Sequence, residues 1–420
     1  MSNHALTHCL CCGSPRLQLV LDLGMQPPAN SYTASEETLV EPHPLGLNRC
    51  EDCWNAQLSF CVDRREIFDR YAYVSGTSRT LTQFFHWFAA ALSAALPKGG
   101  RVLELAANDG SLIRAMQQTG LSCVGVDPAA NIVEAARLNG LPIQCGYWPQ
   151  AAELVTGPFD AIVCMNVLAH VDDPLAFLAG CTAKLARNGV VVVQPSQARM
   201  FENGEFDTIY HEHISFFNTR SMARLAQRAG LRLVGTALVK VHGDSPVYFL
   251  QRPDAEFTTE AIQTFRTGSF AIDEALPDLE ERIRLFDTAT YARFRQQAMD
   301  VIEGVQRTVA EHEEHGFDIV FVGAAAKAMT VLNAARIRPD YLLDEAPLKI
   351  GLHAPGCGNR VAPLTAASQG KRPALFVLSA WNFRHELTQK LQEQGVPEGS
   401  RFYAYLPRPE FIRPRAQALV

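Results

Sequence analysis

The chain has 420 residues, which makes two or three domains the expectation at the usual ~150 residues each. Hydrophobic residues make up 47% and charged residues 20%, ordinary globular usage that excludes a largely disordered chain. With 38 Lys+Arg against 44 Asp+Glu the formal charge is −6, which disfavours broad nucleic-acid affinity through phosphate neutralisation.

The most apolar stretch, Trp87 to Pro97, is shorter than the ~20 residues that span a bilayer, and the N-terminus lacks the basic and apolar regions of a secretory signal. No membrane partner is expected. Eleven cysteines, an odd number without an export signal, fit a reducing cytoplasm, where paired cysteines are metal ligands before they are disulfides.

Residues 1–65 are rich in turn residues and short on helical periodicity. They contain Cys9-x-x-Cys12 and Cys50-x-x-Cys53. Each pair places two thiolates on a tight knuckle, and two knuckles supply the four soft ligands of a closed, structural zinc site. The loop between them, residues 13–49, is longer than the ~15–20 residues of the commonest zinc ribbon. A segment this small buries too little surface alone, and a metal would account for its folding. A redox pair would want a strand–helix setting, which is missing here. Cys11 competes with Cys12 for a place in the first knuckle.

Residues 66–250 alternate strand and helix signals, the pattern of a doubly wound α/β sheet. Strands are expected at residues 102–106, 123–127, around 142–146, from 159 onward and at 189–194, the last a fully apolar run suited to a buried parallel strand. The turn after the first strand, Glu104 to Gly110, has one glycine where a dinucleotide site wants GxGxxG. Glu104 and Asp109 would repel a pyrophosphate but suit the ammonium and sulfonium charges of S-adenosylmethionine. Asp127, ending the second strand, is placed for ribose hydroxyls, unless it merely caps the next helix. The cofactor set is therefore Glu104, Ala106, Asn108, Asp109, Gly110, Asp127 and Pro128, with Asn166 at the end of the fourth strand.

The densest polar cluster is residues 206–213, Phe-Asp-Thr-Ile-Tyr-His-Glu-His, after the fifth strand. On an extended backbone His211 and His213 would share one face and Tyr210 and Glu212 the other. A metal on the two histidines lacks an obvious third ligand. Together with His170, Tyr71 and Tyr73, the cluster forms a base and phenol set for proton abstraction beside a sulfonium.

Residues 251–420 add a helical stretch, 271–314, and a smaller α/β unit with strands near 317–322 and 374–379. Lys327, in the small-residue turn after the first of these, is either a phosphate contact or a solvated lysine.

At these residues the chain resembles the sugar C-methyltransferases. The resemblance covers nearly the whole length: the paired CxxC knuckles, GMQPPAN at 24–30, the Tyr-x-Tyr-x-Ser segment at 71–75, ELAANDGSL at 104–112, NVLAHV at 166–171, FDTIYHEHISFF at 206–217, VGAAAKAMTVLN at 322–333 and AWNF at 380–383. It implies a zinc-binding domain over 1–65, a class I S-adenosylmethionine domain over 66–250, and a Rossmann-like domain over 251–420 that helps hold the substrate. That substrate would be a nucleotide-diphosphate 4-keto-6-deoxysugar, methylated at C3. By motif position His213 is the general base, Tyr210 and Glu212 stand beside it, and Tyr73 and His170 line the sugar pocket. The chain departs from the family at residues 242–247, His-Gly-Asp-Ser-Pro-Val, where HGGSLR is usual, and at Gln194-Pro195. Other readings are a methyltransferase on a hydroxyl or non-sugar acceptor, a non-catalytic sugar-nucleotide binder, and a zinc-ribbon RNA-binding protein, which the net charge opposes.

Overall fold

The computed structural model describes residues 3–68, 79–241, 243–256 and 259–413. Tyr71, Tyr73 and His242 lie outside the described residues. The chain divides into two compact units: Met1–Gln18, Asn48–Arg199 and His213–Phe286 form the first, and Leu19–Leu47, Met200–Glu212 and Asp287–Val420 the second. Among the described residues, no helix is long and apolar enough to cross a membrane.

The first unit is built on seven strands: β1 (Arg101–Leu105), β2 (Ser122–Asp127), β3 (Ile143–Cys145), β4 (Phe159–Met165), β5 (Leu185–Gln194), β6 (Arg232–Val239) and β7 (Ser245–Gln251). Their order is β6-β7-β5-β4-β1-β2-β3. Neighbours from β5 to β3 are parallel, and β7 runs antiparallel to both β5 and β6. This is the doubly wound sheet of a class I methyltransferase.

Strand periodicity explains why both faces are covered. Val190 and Val192 of β5 join a cluster with Val102, Val163 and Phe249, packed under helices α1 (Arg79–Ala95) and α2 (Ser111–Gln118) through Phe84, Phe88, Ile113 and Met116. Val191 and Val193 point the other way, to Leu103, Ile162 and Leu250 and to Phe177, Leu178, Met222 and Leu225 of helices α4 (Pro174–Lys184) and α5 (Thr219–Arg228). Between α2 and α4 in the chain lies α3 (Ala130–Leu138), which packs against β3. Starts are chemically marked. Asp173 caps α4 ahead of Pro174, and Asn218 and Ser221 form a reciprocal capping box on α5.

The N-terminal knuckles belong to this unit, where His4–Ala5 pairs antiparallel with Phe60–Cys61.

The second unit is built on a six-stranded sheet: β8 (Asp318–Val322), β9 (Tyr341–Asp344), β10 (Val361–Pro363), β11 (Ala374–Leu378), β12 (Arg401–Ala404) and β13 (Glu410–Ile412). The order β10-β9-β8-β11-β12-β13 is parallel except for the last strand, a Rossmann-like sheet with its switch point between β8 and β11. The long helix α6 (Thr288–Glu314), capped by Asp287, precedes it, and α7 (Ala326–Ala335) and α8 (Arg384–Glu393) follow β8 and β11. Only the second half of the helical stretch expected over 271–314 is one helix; the first half holds a short one, Leu276–Arg282.

Candidate active site and metal centre

The two cysteine knuckles have the same backbone. Gly13 N donates to Cys9 O at 2.8 Å and Trp54 N to Cys50 O at 3.1 Å, and both residues take left-handed φ, 79° and 63°. Glycine meets that need without strain at the first knuckle. At the second, Trp54 takes the same φ and is stacked by the Arg49 guanidinium 4.4 Å away. Asp52 N also points to the Cys50 sulfur, at 3.4 Å.

The sulfurs of Cys9, Cys12, Cys50 and Cys53 all lie within 4.8 Å of one another, and no other group of three or more potential ligands occurs among the described residues. Cys9–Cys53 and Cys12–Cys50 separations are 3.4 and 3.5 Å. Tetrahedral zinc with bonds of ~2.3 Å sets its sulfurs about 3.8 Å apart, so the set fits the ion. Without a cation, burial pushes Cys12 up to about 11 while thiol donors from Cys11, Cys50 and Cys53 stabilise a single thiolate on Cys9. Four close, largely buried sulfurs therefore call for a positive charge. Cys11 falls outside the set; it is fully buried, and burial holds it as a thiol.

The cofactor candidates gather where β1 and β2 end. Ala106 and Asn108 both adopt left-handed backbone, φ 57° and 49°, and Gly110, φ 74°, leads into α2. A Cβ on Gly110 would collide with Leu141 and Ile143. Left-handed conformations at non-glycine residues are strained, and Asn166 after β4 (φ 50°) and Gln197 after β5 (φ 71°) repeat the pattern. All of these lie just past the carboxyl ends of parallel strands, where such sheets bind ligands.

Asp127 accepts from Asn108 N at 2.8 Å and Ala129 N at 2.9 Å, so it braces both turns while each oxygen keeps a further lone pair for a ligand. Asp127 does not cap the next helix, whose N-cap is Ala129 without a side-chain cap bond; it closes the turn ahead of it, which leaves the ligand reading open. Pro128 lends its carbonyl to the Cys145 thiol at 3.7 Å. Glu104 is 4% exposed and its Oε2 has no hydrogen-bond partner. Burial, then the charges of Asp127 and Asp109, push its carboxyl well above the usual range, opposed only by the Ile113 amide. The buried carboxylates of Glu104 and Asp127, with Asp109 on the same turn, suit a cationic ligand, and S-adenosylmethionine is one through its ammonium and sulfonium.

Asn166 N donates to Gln194 O at 2.7 Å, and its side-chain oxygen accepts from Gln194 Nε2 at 3.3 Å, tying the ends of β4 and β5. His170 closes a 3-10 turn, Leu168–His170, and its ring centroid lies 5.0 Å from that of His213. Ile214 N donates to Ala169 O at 2.7 Å, which joins the two segments through the backbone. His213 also meets Phe216 edge-on at 6.1 Å.

Tyr210, His211 and Glu212 turn rather than extend, so the expected alternation of faces does not form. His211 faces Pro44 O, 3.3 Å away, and the His43 ring, and burial lowers it to about 4. It is a neutral imidazole near pH 7. Glu212 accepts from Asn30 Nδ2 at 3.0 Å, and burial raises its carboxyl. The structure thus brings His170 and His213 together in the first unit, and braces Glu212 with residues of the second.

Sequence reasoning passed over Asn30 and Asp207 as individual residues, although both lie within quoted motifs. It also passed over Arg199, whose Nε donates to Asp244 at 2.6 Å and whose Nη2 donates to Glu274 at 2.8 Å. The charge that Asp244 introduces is answered there by Arg199.

Three family models match in succession: a zinc binding domain over residues 9–68, a methyltransferase domain over 77–236 and a C-methyltransferase C-terminal domain over 242–407. C-methyltransferase NovU of Streptomyces niveus is 28% identical over 429 residues, spanning 97% of both chains. A ubiquinone biosynthesis O-methyltransferase of Xanthomonas campestris pv. campestris is 37% identical over 107 residues, 24% of this chain and 44% of that enzyme. Among solved structures, magnesium protoporphyrin IX methyltransferase from Synechocystis PCC 6803 is 16% identical with a TM-score of 0.34, covering 45% of this chain and 93% of that one. Sheet, turns and family models together define an S-adenosylmethionine-dependent methyltransferase. Within that class the C-terminal domain match and the full-length similarity to NovU make the chain a C-methyltransferase.

Proposed function

We propose that this methyltransferase acts on a nucleotide-diphosphate 4-keto-6-deoxysugar, transferring the methyl group to C3. The observation that carries the reading is the His170–His213 pair, two imidazoles at 5.0 Å past the cofactor edge of the sheet. A C–H beside a ketone is acidic because its anion delocalises onto oxygen. His213 takes that proton, since imidazole titrates near neutrality. In this reading His170, Tyr210 and Tyr73 are the donors for the sugar and the enolate oxygen, with Glu212 beside them.

Glu104, Asp127 and the turns at Ala106, Asn108–Gly110, Pro128 and Asn166 hold S-adenosylmethionine, which supplies the electrophilic methyl. Methyl transfer then depends on alignment of carbon, methyl and sulfur. Cys9, Cys12, Cys50 and Cys53 hold a structural zinc; four thiolates leave no position for a reacting group.

The test is mass-spectrometric turnover with S-adenosylmethionine and a panel of nucleotide-linked 4-keto-6-deoxysugars in deuterated water. A product heavier by one methylene, methylated on carbon, is expected, with deuterium exchange at C3 of unreacted substrate when S-adenosylhomocysteine replaces the cofactor. Methylation on oxygen, without C–H exchange, would transfer the reading to a hydroxyl acceptor.

A further inference from the structure

Residues 205–212 carry two of the proposed acid–base groups yet hold little regular structure, a 3-10 turn at Phe206–Thr208 followed by bends. Without a strand ladder or helix to fix the backbone, side chains must do so. Within the second unit those side chains come from the carboxyl ends of β8 and β11. Lys327, in the first turn of α7, lies 3.5 Å from Glu205 and 3.9 Å from Asp207 Oδ1, with its ammonium 4.7 Å above the Trp381 ring. Trp381 Nε1 donates to Asp207 Oδ2 at 2.8 Å. One turn along α7, Thr330 Oγ1 donates to Ile209 O at 3.1 Å.

Asp207 is 0% exposed and its Oδ1 accepts no hydrogen bond. A buried carboxylate facing one lysine is a weak source of stability, because an apolar group of similar volume would serve as well. It is a strong determinant of geometry, because a displaced loop would leave the charge buried and unpaired. The place matters too. Lys327 follows β8 and Trp381 follows β11, the switch point at which a Rossmann sheet takes its ligand. Here the chain's own Asp207 sits on those residues. With two carboxylates at its ammonium, Lys327 is engaged within the protein rather than held out for a phosphate.

We infer that Lys327 and Trp381 are positioning residues, which through Asp207 set the segment ending at Glu212, and so the neighbouring His213, for proton abstraction. The inference rests on the reading of His213 as the base.

The experiment compares full-length wild type with Lys327→Met, Lys327→Arg and Trp381→Phe by backbone amide hydrogen exchange, cofactor Kd, and kcat and KM on an accepted keto sugar. In Lys327→Met and Trp381→Phe the amides of 206–212 should exchange at least about tenfold faster and kcat fall at least about tenfold, with Kd and KM within about twofold. Lys327→Arg should recover most of the protection and of kcat. Unchanged protection and kcat in both damaged variants overturns the inference. So does a large rise in KM with protection intact, which would make Lys327 a substrate ligand. If Lys327→Met fails to fold, Trp381→Phe decides, since it keeps an aromatic ring at that position while removing the indole N–H that Asp207 accepts. Faster exchange at 206–212 in a protein whose wild type turns over no keto sugar would sink the base reading and leave the anchoring in place.

Discussion

His170 and His213 stand with ring centroids 5.0 Å apart and planes inclined by 57°, on segments joined by the Ile214 N to Ala169 O hydrogen bond. That hydrogen bond holds the two imidazoles side by side, so substitutions at the pair test whether they act as a unit.

His213→Asn should lower kcat by roughly 10²–10⁴ while leaving S-adenosylmethionine binding within about twofold. His170→Asn should cost less, and the double variant should lose little more than His213→Asn alone, because residues acting as a unit are non-additive. Turnover by mass spectrometry and Kd by calorimetry check this. Wild-type kcat in His213→Asn would remove that residue from the base role.

Glu104→Gln should separate stability from affinity. The folded Glu104 carboxyl titrates above its unfolded value because it is buried beside Asp127 and Asp109. Its contribution is present below the unfolded pKa and is lost as pH rises through the folded one. At pH 8 the apo variant should therefore melt above wild type. It should also bind S-adenosylmethionine at least about tenfold more weakly, having lost a charge-assisted acceptor. Wild-type affinity should strengthen as pH rises, since the cationic cofactor favours ionised Glu104. A melting temperature that falls in the variant would contradict the argument.

Purified protein should contain one zinc per chain by elemental analysis. Cys12→Ser or Cys50→Ser should lower both zinc content and melting temperature, and a strong chelator should do the same to wild type. Cys11→Ala should keep the zinc, because Cys11 lies outside the four-sulfur set. Loss of zinc on changing Cys11 alone would reassign the first knuckle.

Glu280 gives a pH test remote from the cofactor turns. It accepts from Thr219 N at 2.8 Å and from the Thr219 hydroxyl at the start of α5, and burial pushes it up to about 7. Its unfolded value is ~4.3, so it stabilises fully below that and loses its contribution through pH 7, on the order of a few kcal/mol at most. Glu280→Gln should raise the melting temperature at pH 8 and leave it near wild type at pH 5. Equal shifts at both pH values would show that ionisation is not the cause.

The parallel strands were readable because burial on both faces makes them continuous apolar runs, as Val190–Val193 shows. The knuckles were readable because thiolate spacing is set by the ion. The turn at Ala106–Gly110 was readable in kind, one glycine flanked by acids, but nothing in local preference announces left-handed backbone at Ala106. Residues 205–212 were the hardest. Their alternation looked extended, and the groups that bend them, Lys327, Trp381 and Asn30, lie far away in sequence. Pairings of that kind leave no periodic trace. The same is true of Asp244, whose partner Arg199 is 45 positions earlier.

The two units are not two consecutive lengths of chain. The path changes unit after Gln18, Leu47, Arg199, Glu212 and Phe286, so the second unit draws on three separate stretches. A fragment beginning at residue 251 would lack Tyr32, which donates to Ala324 O at 2.6 Å, and Asp207 under Trp381. It would expose a buried carboxylate's empty seat and an unanswered indole N–H. Recombining the C-terminal half with a relative's therefore means swapping residues 19–47 and 200–212 along with it. A single junction near residue 251 cannot carry the second unit over whole.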